Sequence, residues 1–291
     1  MPDSMLFFYR KHIGRHIAIY KKQKRHKLFR FIIHLTDHCN LNCAGCEHFS
    51  PLADEKYLDK DIFEKDCIRL NKLTGGAIDH LSLVGGEPLL HPCINDILCI
   101  SRKYFPVGQI RIITNGILLE EMPDLFWKTC SENKIDIIIS VYPIKLNHLY
   151  FKEITAHYGI NLFYRGNRDN SGQIDELQVK KWRKLRIDIS GNQDKNISNK
   201  LCYASNGCYE LVNGKLYKCH RIANIEYFNK AFNCNLNVTK DDYIDIYKAN
   251  NITEILEKIR KPAKFCRYCN MLNSENDVTW GKSNRKITEW I

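Results

Sequence analysis

At 291 residues, 44% of them apolar, the chain is long enough to bury a sizeable core as one large domain or as a domain with an appendage. No segment approaches the apolar span a bilayer crossing needs, and the first residues lack an apolar signal core with a small-residue cleavage site, so a cytoplasmic protein is expected. The formal charge of +11 is local: nine Lys or Arg against Asp3 in residues 1–30 give +8, leaving +3 for the rest. Leu6, Phe7, Phe8, Ile13, Ile17, Ile19 and Tyr20 interleave with those cations. This predicts a basic amphipathic extension over residues 1–27, either packed on the main domain with its charges solvated or touching an anionic membrane surface, which would make the protein peripheral to the membrane. Nucleic acid is not an expected partner, because no aromatic-rich RNA motif accompanies the charge.

Residues 29–36 read as a buried strand, and from its end runs a loop carrying Cys39, Cys43 and Cys46 in the spacing C-x3-C-x2-C. Thirteen cysteines in a cytoplasmic chain argue for metal chemistry rather than a disulfide framework. Three clustered thiolates are too few for a closed structural zinc site, and on a four-iron cluster they leave one metal position open. The competing reading is a zinc knuckle completed by a distant His or Cys, such as His48.

Further along, residues 57–73 have helical periodicity and stop at Gly75-Gly76, and residues 78–84 read as a strand. A helix opens at His91-Pro92 and runs through Ile100. Strands follow at 109–113, 135–141 and 160–164, with helices at 118–131 and 146–158 between them. This alternation predicts an α/β fold with a parallel sheet whose C-terminal edge holds ligands. Strand ends on that edge deliver Gly85-Gly86-Glu87-Pro88, Thr114-Asn115-Gly116, and Ser140 with Tyr142-Pro143 beyond it. Cys67, Cys93, Cys99 and Cys130 fall in or beside helical patterns, where packing is the expected role, and Cys234 has no reading.

The rhythm fades near Ser190-Gly191-Asn192, so a second domain over 191–291 is expected after a core at 28–190. It carries Cys202, Cys208, a Gly214-x4-Cys219 segment and Cys266-x2-Cys269, with Asn213-Gly214 reading as a hairpin turn. These cysteines suggest a second metal site, iron–sulfur or a four-cysteine zinc ribbon.

The cysteine loop, the GGEP segment and the TNG segment together resemble the radical S-adenosylmethionine (radical SAM) superfamily, over about residues 28–190. The resemblance implies a partial (β/α)6, TIM-like barrel in which Cys39, Cys43 and Cys46 hold a 4Fe–4S cluster. The amino and carboxylate groups of SAM would chelate the open iron. Gly85, Gly86, Glu87 and Pro88 would contact the methionine moiety through backbone carbonyls and by pairing with its ammonium group. Thr114, Asn115 and Ser140 lie where ribose contacts are expected, and Arg165 is a candidate for the SAM carboxylate. Many members carry an aromatic residue just before the third cysteine, where this chain has Gly45, so no residue is assigned to the adenine. Phe49 is read as loop packing or as the replacement aromatic, and His48 as a hydrogen-bonded loop residue or one near substrate.

The C-terminal stretch resembles the cysteine-rich twitch domain, a shortened SPASM extension that holds an auxiliary 4Fe–4S cluster. Eleven residues separate Cys202 from Gly214 and five separate Cys208 from it, so the pattern implies Cys202, Cys219, Cys266 and Cys269 as ligands, with Cys208 the alternative to Cys202. Related epimerases return hydrogen to a substrate radical from a cysteine, a role open to Cys208. The implied activity is reductive SAM cleavage, with an electron from a donor such as flavodoxin or ferredoxin. A hydrogen atom is then taken from a polar small molecule, a sugar or aminocyclitol, free or linked to phosphate or lipid, for oxidation or epimerisation. The alternatives are a peptide or protein maturase of the same superfamily and a non-catalytic metal-stabilised binding protein.

Overall fold

The computed structural model describes residues 29–166, 181–204, 207 and 209–291, so the basic extension 1–27 and Cys208 lie outside the described residues. Five βα-type strands form one parallel array: β1 (Phe29–His34), β2 (Ile78–Val84), β3 (Gln109–Thr114), β4 (Ile135–Ser140) and β5 (Leu162–Arg165). Between them run α1 (Lys60–Thr74), α2 (Ile94–Tyr104), α3 (Asp124–Glu132) and α4 (His148–His157). Local chemistry sets these bounds. The Asp59 side chain accepts from the backbone N–H groups of Asp61 and Ile62 to start α1. Pro123 divides the helix expected over 118–131 into a single 3-10 turn at Leu119–Glu121 and the shorter α3.

Strand alternation decides what each face does. Phe31, Ile33, Leu81, Leu83, Ile110, Ile112, Ile135, Ile137 and Ile139 pack with Phe63, Cys67, Leu70, Ile97, Leu98, Phe126, Cys130 and Phe151 of the helices in one buried cluster. At about 25 cal/mol per Å² of apolar area removed from water, this layer is the main stabilising term. The alternate positions, including His34, Ser82, Arg111 and Ser140, therefore face the other side of the sheet.

The sheet continues past β1 into the C-terminal region in the order β5-β4-β3-β2-β1-β7-β8-β9. Strand β7 (Glu210–Val212) lies parallel to β1, with Ile32 opposite Glu210, and turns through Asn213-Gly214 into antiparallel β8 (Lys215–Tyr217) and then β9 (Tyr243–Asp245). Asn213 and Gly214 both have positive φ, 48° and 74°, as a two-residue hairpin of this kind requires. Leu211, Leu216, Ile244 and Ile255 join the same core cluster, so sheet and core run across residue 191.

The parallel α/β architecture holds, and among the described residues a separate two-stranded pair lies outside the main sheet. Strand β6 (Lys181–Ile187) pairs antiparallel with β10 (Cys269–Thr279). Its sequence KWRKLRI carries four cations in seven residues, unlike the near-continuous apolar run that a doubly covered parallel strand needs. Helices α5 (Lys195–Leu201), α6 (His220–Phe232) and α7 (Ile252–Arg260) complete the C-terminal region. A second buried cluster there joins Phe49, Ile187, Ile222, Ile225, Phe228, Phe265 and Trp290. Among the described residues no helix is long and apolar enough to cross a membrane.

Candidate cluster and cofactor site

The loop after β1 brings Cys39, Cys43 and Cys46 together, and hydrogen-bond donors, Asn115 Nδ2 at 3.7 Å from Cys39 Sγ among them, address its sulfurs. Trp280 Nε1 donates to Cys43 Sγ at 3.2 Å and the Leu41 N–H to Cys39 Sγ at 3.4 Å. Burial pushes the Cys39 thiol up to about 11 and the Cys43 thiol up to about 12, and charge on neighbouring cysteines adds to the rise. A group of thiols that resists ionisation alone yet has donors aimed at its sulfurs suits metal-bound thiolate. The donor set therefore fits a cluster held by three cysteines.

Gly85 and Gly86 sit against the start of that loop. A Cβ on Gly86 would lie 2.0 Å from the His38 carbonyl oxygen, and one on Gly85 2.5 Å from that of Thr36. The backbone is drawn together there by Gly86 N–H donating to Thr36 O at 2.7 Å and Glu87 N–H to His38 O at 3.2 Å. Gly86→Ala is thus expected to displace the cysteine loop and lower stability by about 1–3 kcal/mol in thermal unfolding. Gly281→Ala is the control: its added Cβ meets nothing within 4 Å.

Glu87 is almost fully buried, at 1% exposure. Its carboxylate accepts from Thr114 Oγ1 at 2.7 Å, the Asn115 N–H at 2.9 Å and the Leu89 N–H at 3.1 Å. Burial raises its pKa to about 7 against these donors. The structure thus joins GGEP to TNG through Glu87, and Asn115 Nδ2 continues to Asn40 Oδ1 of the cysteine loop at 2.7 Å. Pro88 and Leu89 are buried at the turn that follows. Ser140 and Arg165 are register partners at the ends of β4 and β5, and Arg165 is exposed. The guanidinium of Arg165 acts on Tyr142, as do the charges of Cys39, Cys43 and Cys46, which places this corner beside the loop.

Cys202, Cys219, Cys266 and Cys269 also gather. Burial raises Cys219 first, and then Cys269, Cys202 and Cys266 raise it further, while Cys266 is pushed up to about 12 by burial and by Cys269. The Ser198 hydroxyl donates to the Cys269 carbonyl at 2.7 Å, and the Arg221 guanidinium lies against the Cys269 thiol. Glu47, next to Cys46, links the two cysteine groups: its Oε2 lies 2.9 Å from Nε2 of His220, next to Cys219, and accepts from the hydroxyl of Tyr203, next to Cys202, at 2.8 Å. Although burial opposes ionisation, His220 and Arg221 hold Glu47 down to about 2.

Sequence reasoning missed two features. Residues 280–290 strap the cysteine loop: the Ala44 N–H donates to Gly281 O, the Ser283 N–H to Asn42 O, and Trp290 Nε1 to Cys46 O, at 2.8, 2.8 and 2.9 Å. A Cβ on Gly45 would lie 2.9 Å from Glu289 O, so the strap occupies the space of the aromatic residue absent there. Trp280 and Tyr142, with ring centroids 6.2 Å apart, bring aromatic surface to the loop instead. Phe49 is fully buried against Phe228 and Trp290, the packing role. The second missed feature is a stack of imidazoles, in which His48 lies between His34 at 4.5 Å and His220 at 4.4 Å.

No family model matches the chain. It is 30% identical over 151 residues to molybdenum cofactor biosynthesis protein 1 of Dictyostelium discoideum, and 34% identical over 130 residues to a GTP 3',8-cyclase of Clostridium perfringens strain SM101. These likenesses agree with the radical SAM resemblance carried by the cysteine loop, the GGEP segment and the TNG segment. Those alignments take in 51% and 42% of this chain but 22% and 36% of the relatives, so the chain spans well under half the length of these two relatives. Among solved structures, BtrN in complex with AdoMet and 2-DOIA aligns with 84% of this chain and 93% of that one, at 17% identity and a TM-score of 0.48. A radical SAM protein uses a 4Fe–4S cluster and SAM. Of the residues expected at such a site, the structure brings together Cys39, Cys43, Cys46, Gly85, Gly86, Glu87, Thr114 and Asn115, and it groups Cys202, Cys219, Cys266 and Cys269 separately.

Proposed function

We propose that the chain is a radical SAM enzyme that takes a hydrogen atom from a polar, anionic small molecule, a sugar or aminocyclitol bearing phosphate or carboxylate, and oxidises it. When bound, a cluster on Cys39, Cys43 and Cys46 with SAM, and an auxiliary cluster on Cys202, Cys219, Cys266 and Cys269, supply reductive SAM cleavage and an acceptor for the electron released by the substrate. The observation that carries oxidation is the Glu47–His220 contact, which links the neighbour of Cys46 to the neighbour of Cys219.

The chain's own residues do the rest. Glu87 fixes the TNG turn against the cysteine loop, which leaves the Gly85 and Gly86 backbone and Pro88 to meet the methionine moiety, with Thr114, Asn115 and Ser140 toward the ribose and Arg165 toward the SAM carboxylate. Tyr142 and Trp280 offer the adenine surface that Gly45 lacks. Arg111, on the sheet face of His34 and Ser82, is the candidate for a substrate anion, with Arg30, which pairs with Asp79, beside it. Burial weakens the hold of Arg111 on its proton, Arg30 and Arg165 weaken it further, and Asp79 and Asp136 offset part of that. Arg111 Nε donates to Ser82 Oγ at 2.8 Å, which orients the guanidinium. The epimerase role of Cys208 and the membrane contact of residues 1–27 fall outside the described residues.

A panel of sugars and aminocyclitols, with and without phosphate and deuterated at ring carbons, tests the reading on anaerobically reconstituted protein with a flavodoxin or dithionite donor. The expected result is 5′-deoxyadenosine carrying substrate deuterium, favoured by the anionic members. Stimulation by peptides alone would overturn the substrate class.

A further inference from the structure

Behind the cysteine loop lies a group of side chains that neither cluster uses. His34 at the end of β1, His48 in the loop and Glu210 at the start of β7 present Nε2, Nδ1 and a carboxylate oxygen within 4.8 Å of one another. His34 is 6% exposed and Glu210 fully buried. The parallel β1–β7 pairing brings the two strands together here, with Ile32 opposite Glu210. His34 Nε2 contacts His48 Nδ1 and lies 3.9 Å from Glu210 Oε2. That Glu210 oxygen has no hydrogen-bond partner among the described residues, although it is buried. An orphaned buried carboxylate oxygen aimed at two imidazoles calls for a cation.

The surrounding groups hold these side chains as ligands are held. Asp37 Oδ1 lies 3.5 Å from His34 Nδ1, the ring nitrogen that faces away from the convergence, and Tyr227 donates to Asp37 Oδ2. Asn224 Nδ2 donates to Glu210 Oε1 at 2.9 Å, leaving Oε2 as the free oxygen. His48 is fixed by its stacking between His34 and His220. A carboxylate behind a ligating imidazole and an amide behind a ligating carboxylate are the usual outer partners of a metal site. Lys56 faces Asp37, and His220 and Arg221 face Glu47, so Glu210 is the carboxylate here whose second oxygen is left for a cation.

We propose that His34, His48 and Glu210 form a third metal site, separate from both cysteine groups, for a divalent transition cation of the zinc and ferrous class. Two imidazoles and one carboxylate suit that class, and three protein ligands leave positions open for water or a substrate oxygen. A cation there would bind a substrate hydroxyl or carbonyl oxygen on the face that carries Ser82 and Arg111. That last assignment rests on the small-molecule reading above, whereas the site itself does not.

The test loads Zn2+ onto the protein with its clusters in place. Reconstituted protein is washed with EDTA, given one equivalent of zinc and desalted anaerobically, then analysed for zinc and iron and by zinc K-edge absorption. The expected result is about one retained zinc per chain, a nitrogen and oxygen first shell near 2.0–2.1 Å with imidazole scattering, and unchanged iron. His34→Gln and Glu210→Gln should each weaken zinc binding by tenfold or more, and Asp37→Asn by about 10–100-fold, with iron content and circular dichroism preserved. Zinc that does not stay bound, zinc with a sulfur first shell, or equal retention in all three variants would overturn the site. SAM cleavage measured on the same samples reports on the radical reading independently, because it needs no zinc.

Discussion

Replacing Cys39, Cys43 or Cys46 with Ala is expected to reduce reductant-dependent 5′-deoxyadenosine formation to background and to lower bound iron from about eight to about four per chain. The loop ties those thiols to four other segments: the GGEP backbone, Asn115, Trp280 and the strap at 281–290. Losing one sulfur leaves the others buried, raised by that burial and without a third partner. Folding alone does not ionise these thiols, so the metal must supply the free energy that drives the protons off. Cys219→Ala or Cys269→Ala should remove the same amount of iron yet leave SAM cleavage above background, because the first group stays whole. Iron counts with the spectrum of each variant distinguish the two groups. Four irons in the parent protein would reject the auxiliary cluster, and zinc without SAM cleavage would reject the enzyme.

Glu87→Ala is expected to lower stability by about 3 kcal/mol or more near pH 5, since three donors, Thr114 Oγ1, Asn115 N–H and Leu89 N–H, lose their buried acceptor. The deficit should narrow toward pH 8. The native Glu87 pKa is raised to about 7 by burial, while an unfolded glutamate titrates near 4.3. Between those values the native state binds more protons than the unfolded one, so the contribution is whole below about pH 4.3 and is lost as pH rises through about 7. At about 1.4 kcal/mol per pH unit, the loss in the parent protein is on the order of 3 kcal/mol. Ala at position 87 removes this pH slope. Anaerobic denaturant unfolding of both proteins from pH 5 to 8 measures it, and a constant gap across that range would contradict the assignment.

Much of the fold was legible because parallel strands announce themselves locally. The run at 78–84 emerged as β2 with the same bounds, and Asn213-Gly214 turned as its two residues require. The motif residues were legible for the same reason: three thiols in eight residues and a Gly-Gly pair at a strand end are short-range patterns. What escaped depends on distance along the chain. Trp280 reaches Cys43 across 237 residues, and nothing in either segment signals the other. The His34, His48 and His220 stack assembles one strand end, one loop and one helix start, each of which reads alone as an ordinary histidine. The place of β6 outside the main sheet agrees with its four cations in seven residues.

The strap at residues 280–290 has a consequence for how the protein is made. The ribosome delivers Cys39, Cys43 and Cys46 more than two hundred residues before Trp280 and Trp290 emerge to cover them. Throughout that interval the thiols have been made but not the segment that covers them, so loading of metal during synthesis has an open window that closes when residues 280–290 emerge and dock. Iron inserted early would be locked in by the strap, and a chain that closed empty would have to release the Trp290 bond to Cys46 before it could be loaded.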